Sequence, residues 1–498
     1  MLKNLFTHLL PKKKISGRIL FTVFALLALV MRFPFFFRDY IDKDESTFIL
    51  MGQAWVDGNL PYTMLWDLKP PLVFAFFAAI IYFFGKSFFA IRLAGVLVVA
   101  ITSFFVERIG SKVHSCRVGL WSGILYVIFS SAFGSLQGVM SEHLSMIFFV
   151  PAIWVLIRND NTLRFLWSGL LFGAALMMKI NLAYAVLLVG TYALYLAYKD
   201  KRGKGLIISS LYFSLGIAIP IGSTYLPYHL NNISEIWWNS VIAASLQYNA
   251  AKDGNFLKTL MIVVPMLLLS AFFVLKSERW KVMATQRKYL FMLLLALAGI
   301  LFSFVKIGKL NGHYLIQAHA ILVIFVCIAC TRMPKFNYRP LLIIFLLGVQ
   351  AEAVKEYMLI GKRAVAGKSL YNGEGIEIPV HLTEKYGDVE SVYFINYHIG
   401  YWLLDTEPIT MAVTHPSNIV RDDLYPFMNN PRKNAMEEID HIMKKLRPTF
   451  VITKYRYHFF LDKEDPEDVY FKYFLDNDYE LTDTIGQGYV FKRKPIDD

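Results

Sequence analysis

Long apolar segments recur along the first 358 residues and constrain the fold more than any other feature of the sequence. Runs of about 17–22 apolar residues recur there, and such a length is enough for an α-helix to cross the hydrocarbon core of a bilayer. Charged residues make up only 18% of the chain, below the roughly 25% typical of soluble domains. The sequence therefore predicts a polytopic α-helical membrane protein with about eleven transmembrane helices. The expected spans are residues 18–37, 88–106, 119–135, 142–157, 165–178, 181–198, 206–226, 257–275, 289–305, 315–331 and 340–358.

The formal net charge of +13 comes largely from lysine and arginine residues in short gaps between the apolar segments. Every second gap is basic, which is the pattern of cytoplasmic loops. A nucleic-acid-binding surface would need these charges on one continuous face, so we expect no nucleic acid partner. We instead expect a multi-pass protein of the cell inner (plasma) membrane, surrounded by membrane lipids. Its N-terminus would be cytoplasmic and everything after residue 359 would lie outside.

Residues 71–84 are strongly apolar but few for a membrane span. A crossing here would also turn every later basic loop to the outside, against the positive-inside pattern. We therefore predict a helix that lies in the outer interface of the membrane. Lys69-Pro70-Pro71 suits its start, because proline is tolerated in the first helical turn and keeps the preceding residue extended.

The sequence changes character after residue 358, where aspartate, glutamate, asparagine and proline return. Short apolar runs there predict strands, and an apolar stripe at helical spacing predicts a helix. The predicted elements are strands at 391–396 and 450–454, a helix at 434–446 and a closing hairpin of 480–483 and 488–492. We therefore expect a transmembrane domain at 1–358, with its first outer loop at 38–87, and a small extracytoplasmic α/β domain at 359–498.

The predicted topology gathers charged side chains on the outer side of the membrane, where ionisable groups mark functional sites by default. Lys69 would stand at the start of a helix whose dipole favours an anion, so it could hold a phosphate. Arg92 could add a bidentate contact to the same phosphate. Asp44, beside Glu45, could accept a proton from an attacking hydroxyl. The alternative is that Asp44 and Lys69 only form a salt bridge at the headgroup boundary.

Several short motifs follow one another along the chain. They are Asp44-Glu45, Leu60-Pro61-Tyr62, Asp67-Leu68-Lys69-Pro70-Pro71-Leu72, Phe84-Gly85-Lys86-Ser87, Arg92-Leu93, the segment from Gly173 to Lys179, and Gly312-His313-Tyr314-Leu315. In this order and topology they resemble the family 39-type glycosyltransferases, the protein O-mannosyltransferase and aminoarabinose (lipid A) transferase relatives with the GT-C fold. The resemblance covers roughly residues 20–330. One departure is Leu68, where many relatives carry an aspartate.

The resemblance implies an enzyme that moves a sugar from a polyprenyl-phosphate donor to an extracytoplasmic acceptor, with inversion at the sugar. The acceptor would be a cell-envelope glycan, a lipid or a protein. Asp44 is then the expected catalytic base or acceptor-orienting carboxylate. The expected substrate-binding residues are Glu45, Tyr62, Asp67, Lys69, Arg92, Glu142, Lys179, His313 and Tyr314. No metal-binding pattern is evident; Asp44 and Glu45 could hold one divalent cation, but two ligands are too few to define a site.

Two other functions fit a membrane protein of this kind. A transporter or flippase would place charges near the bilayer midplane and often has internal repeats. Here the charges cluster at one face, and the pattern of residues 42–92 is not repeated. A polysaccharide polymerase is expected to carry a large outer loop midway along the chain, and the loop at 227–256 is modest. The sequence therefore favours a glycosyltransferase and leaves the sugar and the acceptor open.

Overall fold

The computed structural model describes residues 15–158, 160–201, 205–248, 256–280, 282–308, 310–331, 348, 350–389, 391–455 and 465–495. Most of these residues are helical. The α-helices are Gly17–Arg32, Lys43–Val56, Pro71–Phe84, Phe88–Val113, Cys116–Phe129, Ser141–Arg158, Leu163–Leu176, Ala183–Lys201, Leu206–Leu230, Ser234–Trp237, Ala244–Tyr248, Phe256–Leu275, Ala284–Ile307, Ile316–Cys330, Ala351–Val365, Glu374–Tyr386, Ile399–Leu403, Ala435–Asp440 and Pro466–Asp478. The strands are β1 (Val392–Phe394), β2 (Phe450–Thr453), β3 (Tyr479–Ile485) and β4 (Gly488–Arg493).

Eight helices in the described part of the chain are long and apolar enough to cross a membrane. They are Gly17–Phe37, Phe88–Val113, Ser141–Arg158, Ile180–Lys199, Leu206–Leu230, Phe256–Leu275, Gln286–Ile307 and Gly312–Cys330, and they coincide with eight predicted spans. Two further predicted spans correspond to the shorter apolar helices Cys116–Phe129 and Leu163–Leu176. Of the last one, at 340–358, residues 340–347 and 349 lie outside the described residues, and 351–358 form the first part of helix Ala351–Val365. The polytopic helical fold is confirmed, and the count of eleven stays a prediction.

The predicted helix at 71–84 is present with the expected start. It runs from Pro71 to Phe84, and Pro70 before it has an extended backbone. Gly85 ends it with a φ of 66°, a conformation that glycine adopts without strain. Its length of 14 residues equals that of the apolar helices Cys116–Phe129 and Leu163–Leu176. Length alone therefore leaves its position in the membrane interface a prediction.

The described residues form two compact units. The first lies within residues 1–34, 92–224 and 251–357, and the second within 35–91, 225–250 and 358–498. The predicted domain division between residues 358 and 359 is placed at the end of the last expected membrane span, whereas these units are defined by contacts within the fold. The predicted division therefore stays a prediction.

In the first unit, a glycine explains part of one sequence motif. A Cβ atom at Gly173 would lie 2.6 Å from the carbonyl oxygen of Ile217, so helices Leu163–Leu176 and Leu206–Leu230 approach too closely for a side chain. Small residues of this kind let membrane helices pack backbone to backbone. Helix Leu163–Leu176 ends shortly before Lys179, so the lysine follows directly on a tightly packed helix.

A four-stranded sheet organises the C-terminal part of the second unit, with strand order β1-β2-β4-β3. β1 and β2 are parallel, and β4 pairs antiparallel with both β2 and β3. The core that packs on this sheet consists of Tyr393, Ile395, Val413, Ile419, Ile439, Ile442, Met443, Val451, Phe471, Phe474, Leu475, Tyr479 and Phe491. The two predicted strands, the closing hairpin and the small α/β fold are therefore confirmed.

The first outer loop is hydrogen-bonded to this α/β part within the second unit. The backbone N–H of Asn372 donates to the carbonyl oxygen of Phe37 at 2.8 Å, and its own carbonyl accepts the N–H of Asp39 at 3.0 Å. The carboxylate of Asp39 accepts the backbone N–H of Gly375 at 2.8 Å, at the start of helix Glu374–Tyr386. Burial raises the pKa of Asp39 to about 6. The loop is thus anchored to the α/β part where it begins.

Candidate active site

Helix Lys43–Val56 presents the candidate catalytic carboxylate in its first turn. Asp42 has an extended backbone, and its side chain accepts the backbone N–H of Asp44 at 3.0 Å, which caps the helix. Gly52 lets this helix pack tightly on helix Pro71–Phe84, since a Cβ atom at Gly52 would lie 2.8 Å from the Cβ of Phe77. Asp44 is therefore held at the start of a packed helix.

The loop before helix Pro71–Phe84 is held by its own side chains. Tyr62 has a φ of 68°, is fully buried, and donates its hydroxyl to the carbonyl oxygen of Lys69 at 2.5 Å. The carboxylate of Asp67 accepts the backbone N–H of Lys69 at 3.2 Å. The indole N–H of Trp66 donates to the hydroxyl of Ser240 at 3.0 Å. The contact seen for Tyr62 is thus to the loop, and its predicted contact with substrate stays a prediction.

The ammonium of Lys69 lies between two carboxylates. Its Nζ is 3.2 Å from Oδ2 of Asp44 and 3.8 Å from Oδ2 of Asp67. It also lies 5.4 Å from the centre of the Phe48 ring, within the range of a cation–π contact. The side chains of Lys69 and Asp44 keep 19% and 18% of their surface exposed, whereas that of Asp67 keeps 5%. Asp44 and Lys69 are therefore accessible to a ligand, and Asp67 supports the lysine from the buried side.

His415, in the C-terminal part of the chain, lies beside Asp44, although no sequence motif points to it. Its Nε2 is 3.2 Å from Oδ1 of Asp44. Its Nδ1 accepts the backbone N–H of Ser417 at 3.0 Å. The ring of His398 lies 6.1 Å from that of His415, and burial lowers the pKa of His398 well below its usual range. His398 is therefore a neutral neighbour of this group at physiological pH.

Four other predicted residues meet in the first unit. Glu142, in the first turn of helix Ser141–Arg158, is completely buried and forms a salt bridge with Lys179. Nε2 of His313 lies 3.8 Å from the same carboxylate. The centre of the Tyr314 ring lies 4.8 Å from Nζ of Lys179. Three segments far apart in sequence thus bring their ionisable groups together, and the substrate-binding roles of these residues stay a prediction.

The two remaining predicted residues are both buried. Arg92, in the first unit, keeps 2% of its surface exposed, and Glu45, in the second, keeps none. The carboxylate of Glu45 accepts the backbone N–H of Ile41 at 3.4 Å, back across the start of its own helix. Among the described residues, no group of three or more His, Cys, Asp or Glu side chains could hold a metal ion. A divalent cation at Asp44 and Glu45 stays a prediction.

Asp44 and Lys69, in the second unit, combine a carboxylate and an ammonium that are both partly exposed. A carboxylate can take a proton from an attacking hydroxyl. An ammonium can stabilise the negative charge that develops on a leaving phosphate. Such a pair can therefore serve both ends of a group transfer. The alternative is a salt bridge at the headgroup boundary with no part in a reaction.

Residues 68–228 match the sequence profile of the family described as dolichyl-phosphate-mannose-protein mannosyltransferase. The matching segment begins next to Lys69 and contains Arg92, Glu142 and Lys179. A comparison with curated protein sequences found no match to the chain.

Two crystal structures of ArnT from Cupriavidus metallidurans resemble almost the whole chain. For the structure bound to undecaprenyl phosphate the TM-score is 0.62 at 14% sequence identity, and the match covers 95% of this chain and 97% of that one. The chain has the GT-C fold. For the apo state of ArnT the TM-score is 0.57 at 13% identity, with the same coverage. The GT-C fold predicted from the outer-loop motifs is confirmed, and it extends well beyond residue 330, where those motifs end.

Proposed function

We propose that this protein is an integral membrane glycosyltransferase that moves a sugar from a polyprenyl-phosphate donor to an extracytoplasmic acceptor. The observation that carries the proposal is the partly exposed Asp44–Lys69 pair, held by two packed helices. The mannosyltransferase profile over residues 68–228 supports a lipid-linked sugar as donor. The likeness to ArnT, whose crystal structure contains undecaprenyl phosphate, supports a polyprenyl phosphate as its carrier.

Lys69 is the proposed contact for the donor phosphate. Lys69 precedes the first residue of helix Pro71–Phe84 by two positions, and the dipole of that helix adds attraction for an anion. Donor phosphate would compete with Asp44 for the lysine, because both are anions that bind an ammonium through charge-assisted hydrogen bonds. Binding of the donor would then weaken the salt bridge between Lys69 and Asp44.

The predicted residues of the first unit keep substrate-binding roles in this proposal. These residues are Arg92, Glu142, Lys179, His313 and Tyr314. Their support is the complete burial of Glu142 beside Lys179, since ionisable groups inside a membrane protein are costly and mark substrate or ion sites. Glu45 and Tyr62 are proposed to act on substrate only through the backbone segments that they hold.

The proposed reaction is a single displacement at the anomeric carbon. An acceptor hydroxyl attacks from the face opposite the phosphate, and the carbon–oxygen bond to the phosphate breaks as the new bond forms. The electron pair leaves on the phosphate oxygen, whose charge Lys69 stabilises, and Asp44 takes the acceptor proton. One displacement inverts the configuration of the sugar, as in inverting glycosidases.

The positive-inside pattern supports an outward-facing site in the cell inner membrane. The acceptor is proposed to be a cell-envelope glycan, a lipid or a protein. Asp44 could take the proton of an attacking hydroxyl on any of them.

The test is an assay of both products with purified protein. Protein in lipid vesicles is incubated with a labelled polyprenyl-phosphate sugar and a membrane acceptor extract, and free polyprenyl phosphate and glycosylated acceptor are followed. We expect equal amounts of both from wild type, with the opposite anomeric configuration in the product, and about 10²–10⁴-fold slower formation of both by Asp44→Asn. Movement of a solute without release of polyprenyl phosphate would instead indicate a transporter.

A further inference from the structure

We propose that His415 is a positioning residue for this transfer and holds Asp44 in its reactive orientation while Lys69 binds the donor phosphate. The inference rests on the proposed function, and it adds a residue from the C-terminal part of the chain to the reaction. Its basis is the 3.2 Å contact between Nε2 of His415 and Oδ1 of Asp44.

The hydrogen bonds of His415 define its tautomer. The backbone N–H of Ser417 can only donate, and it lies 3.0 Å from Nδ1, so Nδ1 carries a lone pair. The hydroxyl of Ser417 lies 2.6 Å from the same nitrogen. The ring hydrogen is therefore on Nε2, where it donates to the carboxylate of Asp44. His415 is thus a neutral donor with a fixed direction.

The segment that carries His415 is fastened to both segments that carry the candidate site. The hydroxyl of Thr47, one turn after Asp44, donates to the carbonyl oxygen of Thr414 at 3.2 Å. The backbone N–H of Trp66 donates to the hydroxyl of Thr414 at 3.3 Å. The side-chain amide of Asn418 donates to the carbonyl oxygen of Trp66 at 3.2 Å. These three bonds flank His415 on both sides, so its ring is held against Asp44 by the fold.

The two oxygens of Asp44 have different partners, and this gives His415 a distinct task. Oδ2 faces the ammonium of Lys69, and Oδ1 faces the imidazole N–H. Once a donor phosphate draws the lysine away, the imidazole still fixes the carboxylate. A neutral N–H restrains Asp44 without adding a second positive charge, which would stabilise the ionised form and weaken it as a base. The arrangement therefore combines orientation with basicity.

The first experiment compares two substitutions of similar size. His415→Leu removes the N–H, whereas His415→Gln offers an amide N–H in its place. We expect His415→Leu to lower kcat by about 10–100-fold, the worth of one hydrogen bond to a charged group, with the KM for donor nearly unchanged. His415→Gln should recover most of this loss. His441→Leu is the matched control, because it makes the same substitution at a histidine in the π-helix His441–Leu446, outside the candidate site, and it should stay close to wild type.

Several results of this comparison would overturn the positioning role. They are wild-type kcat in His415→Leu, an equal loss in His415→Gln, or a change in KM alone. Thermal unfolding of each purified variant shows whether it is folded. If wild type releases no polyprenyl phosphate, the proposed function fails instead, which keeps the two ideas separable.

A second experiment does not depend on activity. Histidine labelled with ¹⁵N is introduced into wild-type protein, and the signals of His415 are identified by their absence in His415→Gln. We expect a neutral ring protonated at Nε2, whose Nε2 signal shifts in Asp44→Ala. A ring protonated at Nδ1, a doubly protonated ring, or an Nε2 signal that ignores Asp44 would refute the proposal even if His415→Leu did not fold.

Discussion

Nζ of Lys69 lies 3.2 Å from the carboxylate of Asp44, although one residue precedes helix Pro71–Phe84 and the other opens helix Lys43–Val56. The packing of these two helices at Gly52 makes the pairing a property of the fold. Both side chains remain partly exposed, so a ligand can reach them.

Asp44→Asn tests the base directly. The substitution keeps the shape of the side chain and removes its basicity, so transfer should fall by about 10²–10⁴-fold, the usual contribution of a positioned base. The amount of protein in the membrane should be unchanged. The measurement is the initial rate of acceptor glycosylation at saturating donor. Asp57→Asn, an aspartate at the other end of the same helix, serves as the matched control and should keep normal activity.

Two substitutions of Lys69 distinguish a role of its positive charge from a purely structural role in the loop. Lys69→Arg keeps the positive charge with a different geometry, so we expect partial activity. Lys69→Met is of similar length but neutral, and it should lose contacts worth roughly 1.5–3 kcal/mol, or about 10–150-fold in affinity for the donor. Release of polyprenyl phosphate against donor concentration measures this. Equal release by Lys69→Met and wild type would mean that the lysine only supports the loop.

Much of the site in the first outer loop could be predicted because its residues are close in sequence and charged beside apolar segments. Asp44, Asp67 and Lys69 are such residues, and the structure brings them together. His415 could not be found in this way. It reaches Asp44 only through the tertiary packing of a segment more than 300 residues away, and an isolated histidine in a polar region has no distinguishing pattern.

The fold shows the same contrast between local pattern and packing. Strands β1 and β2 were predictable from short apolar runs, and helix Pro71–Phe84 from its prolines. The predicted helix at 434–446 instead divides into Ala435–Asp440 and a π-helix at His441–Leu446. Helical periodicity assumes a constant number of residues per turn, so it cannot anticipate the wider π turn.

Removing one partner of the buried pair of Glu142 and Lys179 should strongly destabilise the protein. Lys179→Met would leave a completely buried carboxylate without its lysine, which typically costs about 3–5 kcal/mol. The double substitution Glu142→Gln and Lys179→Met removes both charges and should recover much of the loss. Thermal unfolding in detergent measures both variants. Similar destabilisation by the single and double substitutions would indicate that the lysine acts through packing rather than charge.

Topology can be tested with cysteine labelling. Asn429 is exposed in the C-terminal part of the chain, and native Cys116 is exposed in a predicted cytoplasmic loop. In intact spheroplasts, a membrane-impermeant maleimide should modify Asn429→Cys but leave Cys116 unmodified. Mass spectrometry of the labelled peptides distinguishes the two sites. The reverse labelling would mean that residues 71–84 cross the bilayer.

Asp39 should make stability depend on pH in a predictable direction. Burial raises its pKa from 3.8 to about 6 in the folded protein, so the folded state retains the proton more strongly than the unfolded chain does. This contribution is complete below the unfolded pKa and is lost as the pH rises through about 6, by roughly 2–3 kcal/mol in total. Asp39→Asn cannot titrate but keeps an oxygen that accepts the N–H of Gly375. Raising the pH from about 4 to about 7 should therefore lower the unfolding temperature of wild type relative to Asp39→Asn. A constant difference between the two proteins across this range would show that Asp39 is ionised in the fold, and that the N–H of Gly375 compensates for its burial.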